Sequence, residues 1–411
     1  MIPCVKVLYV SYDGMTDSLG RSQVIPYLAG LSAKGFEIYL LSCEKKERFE
    51  TNKLLVGEIL LKNNIKWFPM AYNAKPPVIS TLWDIYVLKR EARKLLAKHH
   101  FGLVHCRSYI AAFVGLMLKR RGMIPFLFDM RGFWADERVD GNLWNLRNPL
   151  YKSIYTYFKK KESEFLAEAD HVISLTANGK NEILTHFNYT KPAATISVIP
   201  CCVDMEVFSR KHIVKAQQLK LRAQLKIGPE DLVVSYSGSV GTWYMVNEML
   251  DFFIVLLKTT ANARFLFITQ DDAALIWQKA AEKKIACDKI IVTKATREQM
   301  PLLLSLSAFS LFFIQPLYSK KASSPTKMGE LMSLGIPFVA NSGVGDMDEL
   351  LHGHAVGVLV DEFATAAYEN AIGKLPELLK TPPQTIVDTA LQLYSLEQGV
   401  RVYEAVYRGL L

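Results

Sequence analysis

Short apolar runs alternate with amphipathic stretches along the whole chain. In the first half "VKVLYVS", "FEIYLLS", "LVHC", "PFLFDM" and "HVISLT" read as buried strands, each a continuous apolar run of strand length. Between them "QVIPYLAGLSAKG" and "NPLYKSIYTYFKKKESEFLAEA" repeat their apolar residues at helical spacing. The second half repeats the plan, with "LVVSYSG", "RFLFIT", "KIIVT", "FSLFFIQ", "IPFVAN" and "GVLV" separated by "MVNEMLDFFIVLLKTT", "AALIWQKAAEKK", "MPLLLSLSA" and "TKMGELMSLG". Such alternation predicts an α/β protein of two Rossmann-like doubly wound domains, each a parallel sheet covered on both faces. They join near "ISVIPCCVDMEVF" (196–208), and a last helical stretch, "LEQGVRVYEAVYRGLL", ends the chain. With 411 residues, two cores are also what length predicts.

In open α/β sheets ligands bind beyond the carboxyl ends of the strands. Two such domains predict a cleft lined by loops of both. The first domain offers "SYDGMTDSLGRSQ" (11–23), "HCRSY" (105–109) and "DMRGFWADERVDGN" (129–142); the second offers "SGSVGTW" (237–243), "TKATREQMP" (293–301) and "SSPTKMGELMSLGIPFVANSGVGD" (323–346). Gly20 and Gly238 in two of these loops permit close backbone approach. Neither loop is a GxGxxG or GxxxxGK[ST] motif.

The segment 323–346 is the most informative. Ser324 is suited to cap a helix with Pro325 in its first position, and Gly335 to stop it before "IPFVAN" and a Gly-rich turn containing Gly343. Lys327 then falls in the first helical turn, where the helix dipole disfavours a cation by roughly 0.3–1 kcal/mol. No acid offsets it there. Amide N–H groups, the hydroxyls of Ser324 and Thr326 and this lysine form the kind of group that a phosphate completes. Glu330, one turn on, shares the face of Lys327 and is placed to accept from ribose hydroxyls.

Charge sharpens the contrast between the halves. Of the net +9, residues 1–200 hold 28 Lys and Arg against 18 acids, and residues 201–411 hold 21 against 22. The clusters "LKREARKLLAKHH", "LKRRG" and "FKKKE" lie in the first half, the last on a helix with Tyr151, Ile154, Tyr155 and Phe158. This suits an anionic membrane surface or a phosphate-bearing substrate better than nucleic acid, for which no recognition motif is present. The six cysteines show no metal spacing and fit reduced thiols. No signal peptide precedes the first strand and no run is long enough to span a bilayer, which predicts a cytoplasmic protein, peripheral on the inner face of the membrane.

Taken with "LVHCRSY" and "SVIPCCVDMEVF", the segment "SPTKMGELMSLGIPFVAN" resembles that of retaining glycosyltransferases of the GT-B fold, specifically family 4. The resemblance runs along nearly the whole chain. It implies a first, acceptor-binding domain over 1–198, a second, nucleotide-sugar-binding domain over 199–385, and a C-terminal helix (about 386–411) crossing back to the first. It also implies catalysis without a metal or other cofactor, with a nucleotide-diphosphate sugar as donor and a saccharide or lipid-linked saccharide as acceptor.

Lys327, Glu330 and Arg107 are then the candidate catalytic residues. Gly20, Arg21, Gly238, Ser239, Lys294, Ser324, Thr326 and Gly343 are the candidate donor-binding residues, and Arg131, Trp134, Asp136 and Arg138 the candidate acceptor-binding ones. Three departures bear on this. Ala322 stands where relatives carry the first glutamate of Glu-x7-Glu, Ser239 and about Tyr244 replace their phosphate-binding Arg and Lys, and Arg107 replaces a His. Two alternatives therefore stay open: a nucleotide-sugar epimerase of the same fold, or an inactive saccharide-binding subunit. His105, alone after a buried strand, is expected to be structural.

Overall fold

The computed structural model describes residues 5–411, so Cys4 lies outside it. Its contacts divide the chain into two compact units, residues up to Pro200 with Leu396–Leu411, and Cys201–Ser395. The first holds seven strands: β1 (Val5–Ser11), β2 (Phe36–Glu44), β3 (Lys66–Ala71), β4 (Leu103–Arg107), β5 (Phe126–Asp129), β6 (His171–Ser174) and β7 (Ile196–Val198). All pair in parallel in the order β3-β2-β1-β4-β5-β6-β7. The second unit holds β8 (Leu232–Ser237), β9 (Ala263–Ile268), β10 (Ile290–Thr293), β11 (Phe309–Phe312), β12 (Phe338–Asn341) and β13 (Gly357–Val360), in the order β10-β9-β8-β11-β12-β13.

Two doubly wound parallel sheets are the fold that the alternation predicts. The central strands are apolar along their length because helices cover both faces; β4 and β5 are buried at every residue. Edge strand β3, "KWFPMA", is mostly exposed or half-buried and tolerates Pro69, whose missing N–H suits an edge. In each sheet the strand order reverses once, between β1 and β4 and between β8 and β11. These are the switch points at which open α/β sheets bind ligands.

The terminal segment differs from the single helix expected from about 386. Helix Pro383–Tyr394 belongs to the second unit, burying Ile386, Ala390 and Tyr394, whereas Leu396–Leu410 belongs to the first and buries Val400, Tyr403 and Tyr407. Ser395 separates them in extended conformation and pairs with Val203 as an isolated bridge. Two apolar stripes, one for each core, fix the change of unit at this residue.

Candidate functional site

In the second unit Gly238, which follows β8, and Lys327 meet beside the β8/β11 switch point. Helix Thr326–Ser333 starts from Pro325, so Ser324 is not its cap; the Ser324 hydroxyl instead accepts from the Cys201 N–H at 3.1 Å. The helix ends as expected at Gly335, whose φ of 61° suits glycine. There the N–H of Ile336 returns to Leu331 O at 3.0 Å and that of Gly335 to Met332 O at 2.9 Å. A side chain at 335 would also strike the Pro383 carbonyl.

Lys327 is the second residue of this helix, and its side chain is buried. Its Nζ lies 3.5 Å from the ring centre of Tyr244, 4.5 Å from that of Tyr236 and 5.4 Å from that of Phe312. It has no hydrogen-bond partner. Burial pushes the amine well below the ordinary lysine range, while Glu330 pulls the other way. The approach depends on Gly238, whose φ is 130° and where a Cβ would stand 3.2 Å from Nζ. Tyr244 is held by isolated bridges to Gly241 and Ile314. Tyr236 is fixed by donating to the Ser239 carbonyl.

Glu330 is half-buried. Its Oε1 accepts from Arg297 NH1 at 3.1 Å, and the guanidinium lies 5.0 Å from the Phe208 ring centre. Burial raises the Glu330 pKa against the pull of Arg297. Lys320, also buried, lies with Nζ 3.6 Å from the ring centre of Trp243. Ser239 and Lys294 are exposed and Thr326 half-buried. The Gly343 N–H is taken by Asp348 Oδ2 at 3.0 Å, so that turn offers a donor fewer than its sequence suggests.

In the first unit Arg107 closes β4 opposite Ser11 at the β1/β4 switch point. It is buried, and its Nε donates to Asp13 Oδ2 at 3.2 Å while NH1 lies 3.8 Å from Asp129 Oδ2. Asp129 is the hub of a buried cluster. Its Oδ2 accepts from Tyr403 Oη at 2.9 Å and lies 3.5 Å from His105 Nε2, and its Oδ1 lies 3.9 Å from Arg131 NH1. His105 is buried as expected, but only its Nδ1 is satisfied, 2.7 Å from Tyr407 Oη, while its Nε2 makes no hydrogen bond. Arg107 and Arg131 are thus engaged by the protein's own carboxylates. Gly20 faces its own loop, since a Cβ there would meet the Gly14 carbonyl, and Arg21 is exposed on the same short helix.

The segment 129–142, which includes the helix Trp134–Asp140, sends some of its charged residues inward and others to a pocket. Asp136 is buried and accepts from Tyr155 Oη at 2.7 Å and from Lys159 Nζ at 2.8 Å, so it serves the interior. Trp134 and Arg138 instead line a pocket of about 660 Å³ together with Tyr12, Tyr72, Trp144 and Phe158. Arg138 stacks over Trp134, 4.8 Å from the ring centre.

Sequence reasoning missed Arg297, Lys320, the Tyr236–Tyr244–Phe312 box and the Asp129 hub. Two signals existed. Arg297 lies within "TKATREQMP", one of the loops predicted to carry the site, and Tyr244 stands about where a phosphate-binding lysine is usual.

Residues 24–207 match the family model Glycosyltransferase Family 4. No curated protein sequence matches the chain. Among solved structures, a glycosyltransferase from Rickettsia africae aligns over 99% of both chains with 16% identity and a TM-score of 0.73. Sucrose-phosphate synthase from Thermosynechococcus elongatus aligns over 99% of both chains with 15% identity and a TM-score of 0.73. The Anabaena protein HepE, in complex with UDP and glucose, aligns over 99% of this chain and 100% of its own, with 13% identity and a TM-score of 0.68. No helix of the described residues is long and apolar enough to cross a membrane. The fold is therefore that of the GT-B glycosyltransferases, in a chain whose residues 24–207 match the Glycosyltransferase Family 4 model, and together these support glycosyl transfer.

Proposed function

We propose that the protein is a retaining hexosyltransferase of cell-surface polysaccharide biosynthesis. It takes a sugar from a nucleotide-diphosphate donor and passes it to a hydroxyl of a saccharide or lipid-linked saccharide, working as a peripheral protein on the inner face of the membrane. The observation that carries this reading is Lys327: a buried amine without a hydrogen-bond partner, at a helix start and beside a sheet switch point. An anionic diphosphate supplies what the amine lacks. HepE, of the same fold, binds UDP and glucose.

Under this reading Lys327 and the N–H groups of the first turn of its helix stabilise the negative charge that grows on the leaving diphosphate. Glu330, oriented by Arg297, accepts from the ribose hydroxyls. The leaving phosphate oxygen takes the proton of the acceptor hydroxyl on the face it vacates, so configuration is kept and neither a paired carboxylate nor a metal or other cofactor is required. Ser239, Ser324, Thr326 and Lys294 complete the donor side, and Trp134 and Arg138 serve the acceptor.

Two results test the donor side. A diphosphate raises the pKa of Lys327 from its depressed ligand-free value, so binding takes up a proton and weakens as pH rises through the window between the two values. Calorimetry of UDP, ADP and GDP in buffers of different ionisation enthalpy reads this uptake, and Lys327→Met should abolish it; binding without proton uptake contradicts the role. Glu330→Ala should weaken nucleotide binding by about 1.5–3 kcal/mol with the fold intact. Equal affinity of variant and parent would remove Glu330 from the site.

A further inference from the structure

We propose that the aromatic pocket of the first unit binds the apolar chain of a phosphate-headed lipid, the chain entering among Trp134, Trp144 and Phe158 and the phosphate resting against Arg138. The idea rests on the glycosyl-transfer reading only for its use, which would be to hold a lipid-linked acceptor. The binding itself rests on three features of the unit.

The first is position. Tyr12 follows β1, Tyr72 follows β3, and Trp134 opens the helix that follows β5, so the pocket lies outside the carboxyl ends of three strands, where open α/β sheets take their ligands. Its volume of about 660 Å³ is that of a small-molecule site.

The second is polarity. Arg138 is the one charged side chain among the lining residues, whose other polar groups are hydroxyls such as those of Ser80, Thr81 and Ser153, and the nearby carboxylates are spent on the wall. Asp84 accepts from Tyr12 Oη at 2.9 Å and from Asn73 Nδ2 at 2.6 Å, which fixes the loop after β3, and Asp136 is held by Tyr155 and Lys159. Of its lining residues Leu82 is 55% and Leu143 56% exposed, and Ile79, Trp83 and Leu150, each next in sequence to a lining residue, are 65%, 56% and 59% exposed. Exposed apolar side chains clustered at a pocket mark a binding surface.

The third is charge. Residues 75–98 hold six lysines and arginines against two acids, and residues 138–161 hold six against one. Of these twelve cations Arg138 lines the pocket, while Lys159 and Lys161 are paired with Asp136, Glu162 and Glu164, and Lys94 with Glu91. Arg138 itself forms no ion pair with any described residue and stands on the Trp134 face. Apolar walls beneath an unpaired guanidinium are complementary to an amphiphile with an anionic head.

The test is calorimetric titration of the full chain with a ten-carbon prenyl monophosphate below its micellar concentration, with the matching prenyl alcohol, inorganic phosphate and a soluble oligosaccharide as comparisons. The prenyl phosphate should bind saturably, at least tenfold tighter than the alcohol and far tighter than phosphate. Leu82→Asp, at an exposed position, should weaken it at least tenfold with an unchanged melting temperature, and Arg138→Gln should erase most of the preference for phosphate over alcohol. No saturable binding, equal binding by Leu82→Asp, or displacement of the prenyl phosphate by the oligosaccharide overturns the proposal. Nucleotide titrations separate this failure from that of the proposed function. Nucleotide binding without prenyl phosphate binding defeats only the lipid site, and the converse result defeats only the transferase reading.

Discussion

Replacing Lys327 with methionine should make the ligand-free protein more stable while lowering its turnover roughly 100-fold or more. The stability gain follows from the ligand-free state, in which the amine is buried among Tyr236, Tyr244 and Phe312 with no hydrogen-bond partner. Contact with ring faces contributes about 0.5–2 kcal/mol, but a buried polar group left unsatisfied costs about 1–3 kcal/mol. Methionine keeps most of the stem and packs with the aromatics, so the variant should gain up to about 1–3 kcal/mol in urea unfolding at neutral pH. The parent should also gain stability as pH rises between the depressed folded pKa of Lys327 and its unfolded value near 10.4, because there the unfolded chain holds a proton that the fold does not. The variant should lack that slope. The turnover loss follows from charge growing on the leaving diphosphate, an interaction stronger in the transition state than in the ground state. Lys327→Arg should rescue only part, since a planar fork does not reproduce a point charge. A methionine variant with full turnover would remove Lys327 from the chemistry.

Asp129→Asn should destabilise the first unit by about 3–5 kcal/mol, the cost of removing one partner from a buried charge cluster. Asp129 is fully buried. Burial alone would raise its pKa, but Arg131, the 3.5 Å approach of His105 and Arg107 hold it below the ordinary carboxylate range. A depressed folded value stabilises the protein above the unfolded pKa near 4, and that contribution disappears as pH falls through the folded value. The parent should therefore lose stability below about pH 4 more steeply than the variant. Tyr403 loses a charged acceptor too, so protection of the terminal helix Leu396–Leu410 from hydrogen exchange should fall with the variant. Unchanged urea midpoints and exchange rates would show that the cluster contributes little.

Local pattern made most of this architecture legible. Every strand of the second sheet announces itself as an apolar run between helical stretches, because both faces are covered. Strands β3 and β7 do not: "KWFPMA" is an edge strand interrupted by Pro69, and "ISV" is three residues at the other edge. The position of Lys327 at a helix start could be read from Ser324, Pro325 and Gly335, even though the cap proved to be Pro325. Its surroundings could not, since Tyr244 reaches it only through a turn that Gly241 begins and bridges to Ile314 hold. Arg297 and Glu330 are 33 residues apart, and nothing in local spacing pairs them. Tyr403 and Tyr407 read as one apolar face of an amphipathic helix, and their hydroxyls reach Asp129 and His105 only once that helix docks. Charge legible in "DMRGFWADERVDGN" was ambiguous for the same reason: Arg131 and Asp136 turn inward while Trp134 and Arg138 line the pocket.

The most direct test is a turnover screen. The parent and Lys327→Met are incubated with a panel of nucleotide sugars, with free oligosaccharides and a bacterial lipid extract as acceptors, and products are followed by mass and anomeric NMR. The parent should release a nucleoside diphosphate from one donor and add one sugar mass to an acceptor with the donor's anomeric configuration, at a rate roughly 100-fold or more above the variant. An isomerised donor sugar released without acceptor, an inverted linkage, or equal rates for parent and variant would contradict the account.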